Sequence, residues 1–207
     1  VESQNFMDNE VISFRYYNWG PLLYSAKVIP ERLTKVLNIC NKAKDSYAHK
    51  LAGHIKKELE LPALKIFNVL KPYFKSYIQC GEKTTIVTKL PVMTMESAWV
   101  NYMKAGDFNP PHNHDDILSF VVFLKVPAEL KKENEEFKGT SIGPGGIEFR
   151  INVIKKQGHF SIDNHSFFPT EGDIFIFPSH LEHWVYPFKS KITRISVSGN
   201  LGKKNNA

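Results

Sequence analysis

The positions of apolar residues divide the chain into a helical part and an extended part that meet near Gly81. Three stretches before Gly81 repeat apolar residues at intervals of three and four, the period of a helix with one buried face. They begin at Pro30, near Ser46 and near Pro62. Pro30 stands at the favoured first position of a helix, whereas Pro72 lies inside the third pattern and is expected to kink or split it.

Beyond Gly81 the chain consists of short runs of β-branched and aromatic residues separated by proline, glycine and asparagine, a pattern typical of strands. Six such runs span residues 84–90, 98–103, 117–126, 147–154, 173–177 and 192–198. In the fourth run Ile147, Phe149 and Ile151 alternate with Glu148 and Arg150, so one face is expected to meet a core and the other solvent or a cavity.

These elements predict an α+β chain in which an antiparallel sandwich or barrel carries helices on one face. We expect an N-terminal extended segment and helices over residues 1–83 and the barrel core over 84–207, together forming one compact unit. Residues 128–146 are charged at first and then glycine-rich, which predicts a long loop. Such loops are often lids or binding loops, and a solvated connection is the alternative.

Composition favours a soluble globular protein. The chain is 42% hydrophobic and 13% aromatic, enough to bury a substantial core. It has no run of about 18 apolar residues, and its first residues do not read as a signal peptide, so we expect no membrane segment. Cys40 and Cys80 are expected to be buried, reduced thiols, which predicts a cytoplasmic location. The sequence does not decide whether the protein forms a homodimer.

The net charge of +6 is spread along the chain. The pair Lys203-Lys204 is too short to be a nucleic-acid signature, so the charge argues against nucleic-acid binding. The positive charge slightly favours an acidic partner, and otherwise it is expected to keep the protein soluble.

The stretch from Gly106 to Asp116 carries the densest set of candidate metal ligands. His112 and His114 stand two residues apart, and two acids, Asp115 and Asp116, follow directly. Imidazole and carboxylate groups in this density suit a borderline divalent metal such as Fe(II), Zn or Mn. A third ligand has to come from elsewhere in the chain.

His183 is the best candidate for that third ligand, because it follows a predicted strand and turn. His180 lies close to it and stays an alternative, whereas His159 and His165 lie in polar, less structured stretches.

Arg194 and Ser196 follow in the last predicted strand, where period two places both on one face and Ile195 on the other. An arginine beside a hydroxyl makes a charge-assisted fork for a carboxylate.

In this order the motifs resemble the double-stranded β-helix of Fe(II)/2-oxoglutarate-dependent oxygenases. The motifs are Gly-x5-His-x-His, then Gly-x5-Pro, then a histidine followed by ten residues and Arg-x-Ser. Trp99-Val-Asn101 with Gly-Asp-Phe-Asn-Pro-Pro-His-x-His, and Phe-Pro-Ser-His-Leu-Glu-His with Arg-Ile-Ser, are similar to such oxygenases of marine bacteria and their phages. The resemblance covers about residues 97 to 200, and it implies a bacterial or phage-infected host.

The resemblance implies a dioxygenase that uses Fe(II), O2 and 2-oxoglutarate, hydroxylates its substrate, and releases succinate and CO2. The substrate would be a small molecule or a peptide, with peptidyl proline and a small metabolite both compatible. His112 would be the first iron ligand and His183 the distal one, and Arg194 with Ser196 would hold the distal carboxylate of 2-oxoglutarate.

The resemblance also points to hydrogen-bond donors for the cosubstrate on the strand that leads to the first motif. Asn101 and Tyr102 lie there and alternate faces, so only one is expected to point inward, and Asn101 is preferred. Trp184 and Tyr186, with the 128–146 loop, are expected to contact the substrate on the ground of position alone.

The second ligand departs from the family pattern, in which an acid stands two residues after the first histidine. Counted from Gly106, His114 takes the acid's place, but His114-Asp115-Asp116 also reads as His-x-Asp. We therefore expect the ligand set His112, His114 and His183, with Asp116 as the alternative second ligand.

The spacing also fits cupins, so a cupin-like barrel that binds Zn or Mn without 2-oxoglutarate is the second hypothesis. The glutamate expected in a cupin shortly after the second histidine is absent, and Arg194-Ile-Ser196 favours the oxygenase.

Overall fold

The computed structural model describes residues 2–7, 10–18, 20–83, 92–151 and 164–203. The strands in these ranges are β1 (Glu2–Met7), β2 (Glu10–Asn18), β3 (Leu22–Lys27), β4 (Glu58–Glu60), β5 (Met93–Met103), β6 (Asn109–His112), β7 (Leu118–Lys125), β8 (Ile147–Arg150), β9 (Asn164–Phe167), β10 (Asp173–Pro178), β11 (Glu182–Val185) and β12 (Arg194–Lys203). The α-helices are α1 (Pro30–Cys40), α2 (Ala63–Lys83) and α3 (Ala128–Glu135), and Ala48–Lys50 form a 3-10 turn.

The strands form two sheets, and every neighbouring pair is antiparallel, which confirms the predicted α+β class. The larger sheet has the order β1-β2-β3-β10-β7-β12-β5-β4, and the smaller sheet has the order β6-β11-β8-β9.

Strand β7 shows how these layers pack, because its run is apolar on both faces. Phe120 and Val122 point into a core shared with α1 and α2, whereas Val121 and Phe123 point into a second core shared with the smaller sheet. The larger sheet is therefore covered by helices on one face and by the smaller sheet on the other.

The N-terminal part of the chain contributes strands as well as helices. The predicted extended segment forms β2 and β3, and β3 pairs with β10 in the larger sheet. Strand β4 pairs with β5 at the opposite edge. Four strands from residues 1–83 thus extend the sheet built by residues 84–207, while the domain division at residue 83 stays a prediction.

The helix predicted from Ser46 is wrong. This stretch forms the 3-10 turn, an isolated bridge between Ser46 and Leu59, and strand β4. Four apolar residues at a spacing of four are a weak signal, and pairing with β5 satisfies the backbone of Glu58–Glu60 at least as well as a helix would. The third helical pattern is one helix, α2, which Pro72 does not split.

The predicted loop over residues 128–146 begins instead with the helix α3. Leu130 is fully buried and anchors the helix, and Lys131 and Lys132 form i,i+4 pairs with Glu135 and Glu136. Only the glycine-rich part that follows is a loop. The predicted strand 84–90, the end of the run 147–154 and His159 lie outside the described residues.

Cys40 and Cys80 are both buried thiols, as predicted. Burial raises the pKa of the Cys40 thiol to about 12 and that of the Cys80 thiol to about 11. Across the residues that the structure describes, no helix combines the length and the apolar character needed to cross a bilayer.

Candidate metal centre

Three histidines converge where the smaller sheet meets the larger one. His112 ends β6 and His183 lies in β11, and the pairing of these strands sets the two residues opposite each other with ring centroids 4.2 Å apart. His114 follows β6 by two residues, and its backbone N–H donates to the Ser179 carbonyl at 2.9 Å. The candidate ligand atoms of the three side chains all lie within 4.8 Å of one another.

Backbone carbonyls orient two of the three rings. Nδ1 of His112 lies 2.7 Å from the Pro110 carbonyl oxygen, and Nδ1 of His183 lies 2.9 Å from the Leu181 carbonyl oxygen. A carbonyl only accepts, so Nδ1 carries the proton in each ring and Nε2 keeps a free lone pair. Such a bond to the second ring nitrogen is how proteins fix the tautomer and orientation of a metal-ligating histidine.

Burial and mutual repulsion keep the three imidazoles neutral. Burial lowers the pKa of His114 to about 4, with the neighbouring His112 adding to the effect. Burial also lowers the pKa of His112, and it lowers that of the more deeply buried His183 well below the usual value. Because a metal binds only the neutral ring, the cluster is ready for a cation at neutral pH.

These shifts predict that acid destabilises the metal-free protein. Unfolded histidines titrate near pH 6.5, above the folded pKa values, so the unfolded chain binds more protons below that pH. The contribution of the three histidines to the free energy of unfolding is complete above about pH 6.5. It is lost as the pH falls toward their pKa values in the folded protein. Each histidine adds a slope of at most about 1.4 kcal/mol per pH unit, less where water reaches the ring.

Urea unfolding at pH 7, 6 and 5 in the presence of a chelator measures this slope. His183→Gln removes the most strongly shifted ring and should flatten the dependence, while His180→Gln, at an exposed position, should not. Equal slopes for wild type and His183→Gln would contradict the expectation.

Arg194 is the second notable group, because its charge is buried without an acid. Its side chain is 2% exposed; Nη1 donates to the Gly145 carbonyl at 2.9 Å, and Nη2 lies 2.9 Å from the sulfur of Met103. Nε has no hydrogen-bond partner, and no carboxylate of the described residues lies within ion-pair distance. Burial lowers the pKa of the guanidinium to about 10, so it stays charged at neutral pH.

Asn101 and Ser196 stand beside Arg194 on adjacent strands. Both are buried, and the Asn101 amide nitrogen lies 3.4 Å from the Ser196 hydroxyl and 3.3 Å from that of Ser198. The amide oxygen of Asn101 has no partner. Asn101 lines the cavity, whereas Tyr102 packs on the helical core and under the Lys57 ammonium.

One cavity of about 40 Å³ joins the two groups. Its lining includes six of the residues named from the sequence: Asn101, His112, His114, His183, Arg194 and Ser196. Much of the remaining wall is apolar, with Trp99, Phe123 and Phe177 among its residues. Three neutral imidazoles at one place and an unpaired cation at another thus share one enclosed space.

Half of the chain matches a known protein family. Residues 97–200, half of the chain, match the family described as "Putative 2OG-Fe(II) oxygenase". The chain belongs to this family. A 2OG-Fe(II) oxygenase uses Fe(II), 2-oxoglutarate and O2, which agrees with the predicted cofactors and with the three-histidine group. No curated protein matches the chain significantly.

Solved structures share the fold of this oxygenase family member at low identity. A prolyl hydroxylase from Trichoplax adhaerens, in complex with a hypoxia-inducible-factor peptide fragment, has TM-score 0.56 and 12% identity and covers 92% of this chain and 84% of its own. A prolyl-4-hydroxylase from Pseudomonas putida has TM-score 0.52 and 14% identity over 87% and 92%. The α-ketoglutarate-dependent epimerase SnoN of nogalamycin biosynthesis has TM-score 0.54 and 12% identity over 87% and 78%.

The structure does not bring the alternative ligand Asp116 into the metal group. The three-residue set contains His114 instead. The Asp116 carboxyl is hydrogen-bonded to the side chain of Asn200, and partial burial raises its pKa. The chain bends after His114. The Asp116 carboxylate therefore points away from the three histidines.

Trp184 and Tyr186 also lie apart from the cavity lining. Trp184 pairs with Glu148 across β11 and β8 and lies under the Arg150 guanidinium, and the Tyr186 hydroxyl donates to Glu148 at 2.9 Å. His183 and Val185 alternate with them and line the cavity. This placement is against the predicted role of Trp184 and Tyr186 in substrate contact. His165 contacts Tyr17 instead of the histidine group.

Three residues that line these spaces were not predicted from the sequence as part of the site: Glu58, Trp99 and Asn109. Glu58 lay inside the stretch assigned to a helix. The alternation Glu58-Leu59-Glu60 is the only local signal that could have placed it on a strand, and three residues are too few to decide.

Proposed function

We propose that this chain is an Fe(II)- and 2-oxoglutarate-dependent dioxygenase that hydroxylates its substrate. His112, His114 and His183 would hold the iron, and Arg194 with Ser196 and Asn101 would hold the distal carboxylate of 2-oxoglutarate. The observation that carries the proposal is the buried, acid-free Arg194 guanidinium in the same cavity as the three histidines.

A buried charge without a partner costs several kcal/mol, so its presence needs a reason. A dicarboxylate that enters the cavity supplies the missing counter-charge, and the guanidinium fork and the Ser196 hydroxyl offer it charge-assisted hydrogen bonds. The donor set fits the metal as well, because its imidazoles are neutral and Nε2 is free in two of them.

The residues of the chain would position and shield the reaction. When bound, iron and 2-oxoglutarate together reduce O2, give succinate and CO2, and insert one oxygen atom into a substrate C–H bond. The carbonyls of Pro110 and Leu181 hold two ligand rings in place. Trp99, Phe123 and Phe177 line the cavity and limit the access of water, which strengthens the attraction between Arg194 and an anion.

The cupin-like alternative, a barrel that binds Zn or Mn without a keto acid, also accepts three histidines. It leaves the buried guanidinium of Arg194 without a function, and the family match favours the oxygenase. The cytoplasmic location stays a prediction.

Anaerobic Fe(II) and 2-oxoglutarate are expected to give a weak visible charge-transfer band that neither gives alone. Admission of air should then convert 2-oxoglutarate to succinate. Metal analysis of protein purified without chelators runs in parallel. Tightly held zinc, with no band and no succinate after iron loading, would reject the oxygenase and favour the cupin-like barrel.

A further inference from the structure

A second chamber adjoins the histidine cluster. It has a volume of about 160 Å³ and opens to solvent. Its wall shares Trp99, Asn109, His112 and His114 with the cavity of Arg194, so these two histidines lie between two spaces. If the inner space takes the cosubstrate, the outer one is the place for a substrate.

Glu58 is the unusual residue of this outer chamber. Strand β4 sets Glu58 opposite Asn101, and β5 sets Asn101 opposite Ser196, so the three side chains share one face of the sheet. Glu58 is 1% exposed, and its Oε2 has no hydrogen-bond partner. Within the described ranges, no cation lies at ion-pair distance from its carboxyl.

The described residues around Glu58 do not provide a hydrogen-bond donor for Oε2 of its carboxyl. Burial, with a smaller contribution from the nearby Asp107, raises the pKa of Glu58 to about 7. A Cβ at position 53 would lie 3.0 Å from Oε1 of Glu58 and would collide with the Asn109 amide. The absence of a side chain at Gly53 therefore lets the Asn109 amide and the Glu58 carboxyl pack against its backbone.

Lys50 also lines this chamber and is exposed, and its ammonium lies 4.8 Å from the centre of the Tyr47 ring. The lining of the chamber thus includes a buried acceptor, Glu58, and an exposed cation, Lys50. A ligand that carries a cation at one end and an anion beside it complements this arrangement.

We propose that the outer chamber binds a free amino acid, whose ammonium group donates to Glu58 and whose carboxylate faces Lys50. The inference rests on the proposed dioxygenase function and names its substrate class. A bound amino acid would lie against His112 and His114, on the side away from Arg194. The ammonium group would supply the counter-charge that Glu58 lacks in the protein alone.

The test is a succinate assay of the full chain with Fe(II), 2-oxoglutarate and O2. The added probes are the twenty free amino acids, their Nα-acetyl and amide derivatives, and tripeptides with the same central residue. At least one free amino acid is expected to raise succinate formation about tenfold or more above the unstimulated rate. Its acetylated and peptide forms are expected not to.

Glu58→Gln removes the charge and keeps the shape, so the KM for that amino acid should rise by about tenfold or more. Glu60→Gln, on the same strand at an exposed position, should leave KM and rate unchanged. Lys50→Gln, also exposed, should raise the KM for the free amino acid more than for its amide. This variant keeps the inference testable if Glu58→Gln does not fold.

Each outcome decides the inference separately from the proposed function. A charge-transfer band and succinate formation, combined with equal stimulation by acetylated or peptide forms or with a wild-type KM in both variants, would overturn the amino-acid inference alone. The same holds if no amino acid stimulates. Absence of the band would reject the dioxygenase function itself.

Discussion

His183→Ala is expected to lose bound iron and, with it, the visible band that 2-oxoglutarate produces. The substitution leaves two imidazoles, and His183 is the most deeply buried member of the group. Loss of a partner outside the ligand set typically weakens metal binding by about 10- to 100-fold, so loss of a ligand should cost at least about 100-fold. Iron content after dialysis and a Co(II) titration, monitored by absorbance, measure the change.

Two further substitutions separate the competing ligand sets. His114→Ala should weaken metal binding as His183→Ala does, because His114 belongs to the converging group. Asp116→Asn should keep the metal, since the Asp116 carboxyl is bonded to Asn200. His180→Ala, three residues before His183 and exposed, is the matched control. Loss of metal in Asp116→Asn with retention in His114→Ala would reverse the assignment.

Arg194→Met is expected to raise the KM for 2-oxoglutarate by about 100-fold while the ligand-free protein stays stable. Charge-assisted hydrogen bonds contribute about 1.5 to 3 kcal/mol each, which corresponds to roughly 10- to 150-fold in affinity. The side chain is buried without an acid, so its removal eliminates an uncompensated charge. The Gly145 carbonyl loses its donor, at about 1 kcal/mol.

Arg194→Met should therefore weaken 2-oxoglutarate binding without weakening the fold. The free energy of unfolding without ligand should stay within about 1 kcal/mol of wild type or increase. Arg194→Lys keeps the charge without the planar fork and should give an intermediate KM. Arg150→Met removes another arginine that lies over an aromatic ring, outside the cavity, and should leave the KM unchanged. A strongly destabilised Arg194→Met protein with normal 2-oxoglutarate binding would assign the arginine a structural role.

Local patterns determined the parts of the fold whose signal is repeated along the sequence. The apolar periods of α1 and α2 and the strand runs that became β5, β7, β10 and β12 were readable because a buried face imposes its spacing on every residue of the element. The short pattern behind the helix predicted from Ser46 failed, and the charged composition of residues 128–146 did not reveal the helix α3. There, contacts distant in sequence outweigh local preference.

The sequence by itself determined the chemistry of the metal centre: two histidines two residues apart, a distal histidine, and an arginine with a serine on one strand face. Only the tertiary structure decided which of these groups meet. The choice of His114 over Asp116 depends on where the chain turns after β6, and the placement of Trp184 and Tyr186 away from the cavity depends on the register of β11. Glu58 joined the region through the pairing of β4 with β5. Register sets which face a side chain occupies, and it is fixed by partners far along the chain, so no local pattern contains it.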